Sequence, residues 1–184
     1  REGTPYFTSL QTLNSMNMEL LKSPENEAGG MYSKNFTKNR PADEDKIDSW
    51  FDELVGVWDA IFEAIPKLNE DPSFKRTSNA DEDEAANDGH ENNALFRPIV
   101  QEGILAKAAR MLLNRANTNT KAGMIKALQN LSLIDWNMYN APWIHLIIIK
   151  NENDNWVMAN EERVKRIDCA FETIMWLVGH FQWD

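Results

Sequence analysis

The chain has 184 residues, a net charge of −10 at pH 7 and one cysteine. This length fits one domain with a hydrophobic core, and a single cysteine excludes an internal disulfide and fits a reducing cytoplasm. The overall acidity argues against a protein that binds nucleic acid with its whole surface. No apolar run approaches the ~20 residues of a membrane span. Because the chain starts at Arg1 and not at Met, we expect a fragment of a longer protein.

Two helices are predicted in the first third of the chain. Thr8 is predicted to cap the first, with Gln11 three residues on as in a capping box. Pro41 and Asp43 open the second, and Pro66 ends it. This second helix carries an apolar stripe that we expect to face the core, made of Ile47, Trp50, Phe51, Leu54, Trp58, Ile61, Phe62 and Ile65.

Carboxylates fill much of the other side of this second helix. We interpret Asp48, Asp52 and Glu53 as a solvated face. A metal site, or a hydrolytic enzyme that uses Asp48 and Asp52, is the alternative. The polar segment 67–93 follows and is predicted to be a flexible acidic loop, because it exceeds ~15 residues without apolar periodicity.

The stretch ALFRPIVQEGILAKAARMLL, from Ala94 to Leu113, is predicted to form the central helix. Pro98 suits its first turn, where a missing N–H costs nothing. One continuous face follows at helical spacing, made of Gln101, Ile104, Leu105, Ala108, Met111 and Leu112. Gly103 and the nearby alanines are small enough for other helices to approach closely. We therefore predict a mainly α fold, a bundle of five to six helices around this one.

The last third is predicted to contain a shorter helix, a packed corner, a hairpin and a final helix. Thr118 or Thr120 caps the shorter helix, and Trp136 and Trp143 pin the corner LIDWNMYNAPW to the core. Residues 146–149 and 156–158 are predicted as a short β-hairpin, with a helix over 142–149 as the alternative. Asn160 is expected to cap the final helix, which ends at Gly179. Its expected apolar face consists of Val164, Ile167, Ala170, Phe171, Ile174, Met175 and Val178. We expect Cys169 within it to be a buried structural thiol.

Six bases lie between residues 97 and 126 against one acid, Glu102, inside an otherwise acidic protein. They are the residues that we predict to contact nucleic acid: Arg97, Lys107, Arg110, Arg115, Lys121 and Lys126. If they face phosphates, binding will depend on salt. A solvated helix face is the alternative interpretation.

Motifs of common catalytic and cofactor sites are missing from the sequence. It has no Gly-rich phosphate loop, HExxH or CxxC motif and no GxSxG elbow. The three histidines, at positions 90, 145 and 180, have unlike surroundings, and His145 is expected to be a core or interface residue. We therefore predict no catalytic residue, no metal site and no cofactor for this chain, which we do not expect to be an enzyme.

The order of landmarks resembles the C-terminal part of DGQHR-domain proteins, the family of the DNA sulfur modification protein DndB. Four pieces carry the resemblance: FTSLQTL at Phe7, the Trp-containing helix that ends in Ile65-Pro66, LFRPIVQEGILAKAARMLL, and the IDWNMYNAPW corner with the last helix after it. The DGQHR motif itself belongs to an N-terminal half that this chain lacks, and Asp88-Gly89-His90 is not that motif.

The resemblance implies a helical C-terminal domain of a DNA-modification, phosphorothioation-type protein in anti-phage defence. Such a domain is expected to contribute DNA binding, transcriptional regulation or assembly with other DNA-modification proteins. The alternative is a protein-interaction or oligomerisation scaffold, including a homo-oligomer, that does not contact nucleic acid. No membrane partner is expected.

Overall fold

A computed structural model describes residues 7–22, 44–69 and 93–179 of the chain. Within these ranges the fold is mainly α, as predicted, with five helices and one antiparallel hairpin in the C-terminal third. The elements are α1 (Leu10–Leu20), α2 (Glu44–Ala64), the central helix α3, α4 (Lys121–Leu128), β1 (Ile148–Lys150), β2 (Trp156–Met158) and α5 (Arg163–Leu177). Helix α3 is α-helical over Pro98–Val100, π-helical over Gln101–Leu105 and α-helical again over Ala106–Ala116.

The central helix has the role that its sequence predicts. Pro98 stands in its first turn, and Ile104, Leu105 and Ala108 are fully buried. Helices α1, α4 and α5 all pack against α3. Gly103 permits a close approach of α5, because an added Cβ would lie 2.6 Å from Ile167 Cγ2 on that helix. The π-helical turn was not predicted, and it contains the buried Gln101.

Gln101 joins the segment before α1 to the central helix. Its side-chain amide donates to the Phe7 and Leu95 carbonyl oxygens at 3.0 and 2.8 Å, and its Oε1 accepts from Thr8 Oγ1 at 2.6 Å. The prediction that Thr8 caps α1 is therefore wrong. Ser9 is the N-cap, and its hydroxyl accepts from the Thr12 N–H, because the hydroxyl of Thr8 is used in this long-range contact.

Aromatic rings from three elements meet where α2 ends. Phe7 lies edge-on to Trp58, Phe62 and Phe96, with ring centroids 5.7 to 5.9 Å apart. Trp58 also donates its indole N–H to Asn17 Oδ1 on α1 at 2.8 Å. Helix α2 ends at Ala64, as the position of Pro66 predicts, and a 3-10 turn over Pro66–Asn69 follows.

The tryptophan corner is confirmed as a packed connection. Trp136 and Trp143 stack with centroids 5.3 Å apart, and both are buried. Their indole N–H groups donate to the Leu131 and Asp135 carbonyl oxygens. Strands β1 and β2 then pair Ile148 with Met158, so the hairpin is confirmed and the helix over 142–149 is not formed.

Three predictions for the last helix are wrong. Glu162 in left-handed geometry precedes Arg163, so Asn160 is not its cap. Val164 lies on the exposed first turn of α5, although its spacing matches the apolar face. Cys169 is exposed and not a buried thiol, because it lies on the side of α5 opposite the buried Ala170, Ile174 and Val178. Gly179, at φ +77°, ends the helix region as predicted.

Much of the predicted acidic loop, at 70–92, lies outside the described residues, as do His90 and His180. The residues at the two described ends of that loop pack against the rest of the fold, since Leu68 and Asn93 are buried. His145 is exposed and left-handed, at φ +69°, with its ring 6.4 Å from that of Trp156, so it is not a core residue. None of the described helices combines the length and apolarity needed to cross a bilayer.

Candidate functional site

Arg110, one of the six predicted nucleic-acid contacts, is bound to a carboxylate of α1. Its Nε lies 2.9 Å from Glu19 Oε1, and the two side chains are only 26% and 11% exposed. Glu19 also contacts Lys22. Burial alone would raise the pKa of Glu19, but the hydrogen bonds and positive charges of Lys22 and Arg110 outweigh it and lower that pKa. Arg110 therefore stabilises the contact between α1 and α3.

Lys107 and Lys121 face carboxylates of two further helices. Lys107 Nζ lies 3.8 Å from Asp168 Oδ1 on α5 and 5.9 Å from the centre of the Phe171 ring. Lys121 Nζ lies 3.0 Å from Glu63 Oε2 on α2, and its hydrogen bond to Glu63 raises the pKa of the ammonium. With Arg110, three of the six predicted contacts are thus paired with acids from α1, α2 and α5.

Arg97 lies apart from the other cations, beside the hairpin. It follows the 3-10 turn Ala94–Phe96 and lines a cleft with Tyr139, Trp156 and neighbouring residues of the strands. The cleft has about 20 Å³ of internal space, which is room for about one water molecule. A drug-sized or cofactor-sized ligand needs roughly 300 Å³ or more, so this cleft does not fit one.

Arg115 and Lys126, like Lys121, are exposed around the turn between α3 and α4. Arg115 Nη1 donates to the Gly179 carbonyl oxygen at 3.4 Å, and Lys126 is exposed on α4. Asn117, in left-handed geometry, ends α3, and Thr120 caps α4 as predicted, accepting from the Gly123 N–H. The structure therefore brings Arg115, Lys121 and Lys126 together at the end of α3 and on α4. The other three predicted contacts lie elsewhere: Arg97 beside the hairpin, Lys107 facing α5 and Arg110 facing α1.

Large apolar side chains are exposed on several elements. Among the described residues they are Leu10, Phe51, Val55, Leu133, Val164, Trp176 and Leu177. Helical spacing predicted two of them, Phe51 and Val164, to lie on buried faces. A signal was present for Phe51, because Asp48, three residues before it, is its neighbour on the helix surface.

The outward side of α2, which we call the α2 face, combines exposed apolar groups and acids. It consists of Phe51, Val55, Asp48, Asp52 and Asp59, all exposed. Phe51 is 64% and Val55 44% exposed, and they lie one helical turn apart. The prediction that Phe51 belongs to the core is therefore wrong: the core side of α2 is centred on Trp50, Val57 and Ile61.

The described residues contain no group of three or more His, Cys, Asp or Glu side chains placed to hold a metal ion. Asp48 and Asp52 stand on the solvated outer side of α2, and the side chains in contact range there include the apolar Phe51 and Val55. These acids and apolar side chains therefore lie side by side on one exposed surface of α2. Comparisons with family models, with curated proteins and with solved structures find no match for this chain.

Proposed function

We propose that this chain is a helical assembly domain of a DNA-modification, phosphorothioation-type protein, and that it binds another protein of the same cytoplasmic system. The chain alone is proposed to be a non-enzymatic accessory or regulatory part. The sequence resemblance to DGQHR-domain proteins supports the DNA-modification context, and its residues Phe7, Gln101, Trp136 and Trp143 pack into the fold.

One observation carries the preference for a protein partner. The six cations that would contact DNA are divided among different neighbours, and three of them are neutralised by carboxylates, whereas Phe51 and Val55 expose apolar area on an ordered helix. A paired cation contributes little to the release of counterions from DNA. Exposed apolar groups on a rigid element are typical of sites where proteins bind each other.

Co-expression followed by size-exclusion chromatography with light scattering tests this function. The chain is purified with each protein encoded by the neighbouring genes, and the mass of every species is measured. We expect a complex of defined stoichiometry with at least one of them. If every mixture elutes as separate components at concentrations of about 10 μM or more, an affinity useful for assembly is excluded and the proposed function is wrong.

DNA contact is a second candidate function, and one specific observation favours it. Residues 103–134 contain five bases and no acid, and Arg115, Lys121 and Lys126 are exposed there. In fluorescence anisotropy with a short DNA duplex at about 50 mM salt, where screening is weak, binding should then depend steeply on salt. The variant Arg115→Glu with Lys126→Glu should lose it, and Lys150→Glu on the hairpin should not. Equal affinities would exclude this candidate.

A further inference from the structure

We propose that the α2 face is the docking surface of this domain and that its occupant is a basic amphipathic helix of a partner protein. This inference rests on the proposed function and adds the surface and the chemistry of the partner. The α2 face puts two exposed apolar side chains one turn apart on one side of a helix and lines them with acids.

The exposed apolar residues of this surface belong to a longer apolar stripe on α2, and Phe7 packs over the C-terminal half of that stripe. Phe51, Val55, Trp58 and Phe62 follow one another at helical spacings of four, three and four residues, over about 16 Å of helix. Phe7 covers Trp58 and Phe62. Within residues 7–22, 44–69 and 93–179, no ring covers Phe51 and Val55 in this way, and 64% and 44% of their surfaces are exposed. A helix laid beside Phe7 would extend the same packing, as in recognition of amphipathic helices by apolar grooves.

The charge of α2 selects the kind of partner. Between Glu44 and Ala64 the sequence has seven acids and one base, Lys46, and Lys46 lies over the Trp50 ring at 5.2 Å. Asp48 and Asp52 stand one turn apart, where like charges destabilise a helix, and Asp59 stands one turn beyond Val55. Lysines or arginines at the edge of a partner would relieve this repulsion and steer association.

The same charge argues against other occupants. Duplex DNA and an anionic lipid surface would both be repelled by a row of aspartates. A second copy of the chain that presented the same face would place aspartates against aspartates, and the chain as a whole carries −10. The other large apolar side chains that the described residues expose lie on other elements, with Val164, Trp176 and Leu177 on α5. Leu10 and Leu133 are single exposed residues, which are ordinary on protein surfaces. They serve as matched controls.

The first experiment titrates the full chain into a fluorescent synthetic peptide of about 16 residues, long enough for roughly four helical turns. The peptide carries leucines at helical spacing on one face and lysines beside them. We expect saturable binding, weakened by salt, and at least about a tenfold loss for Phe51→Ser with Val55→Ser. Asp48→Asn with Asp52→Asn should weaken binding and reduce its dependence on salt. Leu133→Ser and Glu172→Gln should bind as the parent chain does.

Three outcomes overturn the inference. In the first, Phe51→Ser with Val55→Ser leaves the affinity for the peptide unchanged. In the second, a peptide with glutamates in place of the lysines binds equally well. In the third, the chain associates more strongly with anionic vesicles than with the peptide. Circular dichroism of each variant checks that the helices remain. Because all four altered positions on α2 are exposed, the variants should fold, and Asp48→Asn with Asp52→Asn adds a second, non-truncating test.

The co-expression experiment separates this inference from the proposed function. If a complex forms and Phe51→Ser with Val55→Ser leaves its affinity unchanged, the domain assembles through another surface, and only the assignment of the α2 face is wrong. If the peptide binds at the α2 face but no neighbouring protein forms a complex, the surface is supported and the proposed function is not. Loss of the complex in the same variant, with Leu133→Ser unaffected, supports both.

Discussion

Arg110 Nε lies 2.9 Å from Glu19 Oε1, and this contact joins the central helix α3 to α1. Both side chains are largely shielded from water, so each charge depends on the other for compensation. We predict that Arg110→Met lowers the free energy of unfolding by about 1–3 kcal/mol. Lys126→Met, which removes an exposed base from α4, should change it little. Urea unfolding followed by circular dichroism measures both, and equal effects would contradict a structural role for Arg110.

Glu19 should make stability depend on pH. Its pKa in the folded chain is lowered below the ordinary value of 4.5, so the folded state favours the charged form more than the unfolded state does. The resulting stabilisation is fully present above about pH 4.5 and is lost as the pH falls through the lowered pKa. We predict that Glu19→Gln, compared with the parent chain in urea melts from pH 7 to pH 3, loses more stability at pH 7 than at pH 3. A constant difference would be inconsistent with this coupling.

Gln101 is predicted to be among the costliest polar residues to remove. It is fully buried, and its amide satisfies the Phe7 and Leu95 carbonyl oxygens and the Thr8 hydroxyl. Gln101→Leu keeps a similar volume but leaves these groups without a partner, so we expect a loss of about 2–4 kcal/mol. Gln129→Leu, at an exposed position, is the control. A loss of less than about 1 kcal/mol for Gln101→Leu would mean that water replaces the amide.

Two glycines should respond to alanine in opposite directions. A Cβ at Gly103 would lie 2.6 Å from Ile167 Cγ2, whereas one at Gly56 would meet Met124 Cε at an ordinary 3.7 Å. We predict that Gly103→Ala destabilises the fold by about 1–3 kcal/mol through overpacking against α5. Gly56→Ala should stabilise it by about 0.4–1 kcal/mol, because alanine restricts the unfolded chain. Thermal melts of both variants test the pair.

Ile167→Ala provides the internal check on Gly103. This change removes the atom that the new Cβ would contact, so Gly103→Ala should cost less in that background than in the parent chain. If the two changes are additive, the close approach of α3 to α5 is not the reason for the glycine.

Helical spacing predicted the core well where apolar residues occupy the middle of a face. Ile104, Leu105, Ala108 and Ile61 are buried for this reason. At the margin of a face the same spacing failed, because Phe51 and Val164 match the period but lie beyond the reach of neighbouring helices. Periodicity gives the direction in which a side chain points from its own helix. Whether that side chain is buried depends on how far the neighbouring helix reaches over it.

The cations show what a linear sequence leaves open. Their clustering between residues 97 and 126 suggested one patch, but successive positions on a helix point in different directions. Lys107, Arg110 and Lys121 meet acids of α5, α1 and α2 that are distant in sequence. The cap of α1 was missed for a similar reason, since the hydroxyl of Thr8 is bound by Gln101, more than ninety residues further along the chain.

The central claim is that this domain binds a protein partner through the α2 face, and light scattering of the co-expressed complex tests it most directly. The account predicts a complex with a neighbouring DNA-modification protein that dissociates at least about tenfold more readily with Phe51→Ser and Val55→Ser, while Leu133→Ser leaves it intact. A chain that stays uncomplexed in every mixture, yet binds duplex DNA in a manner abolished by Arg115→Glu with Lys126→Glu, would contradict it.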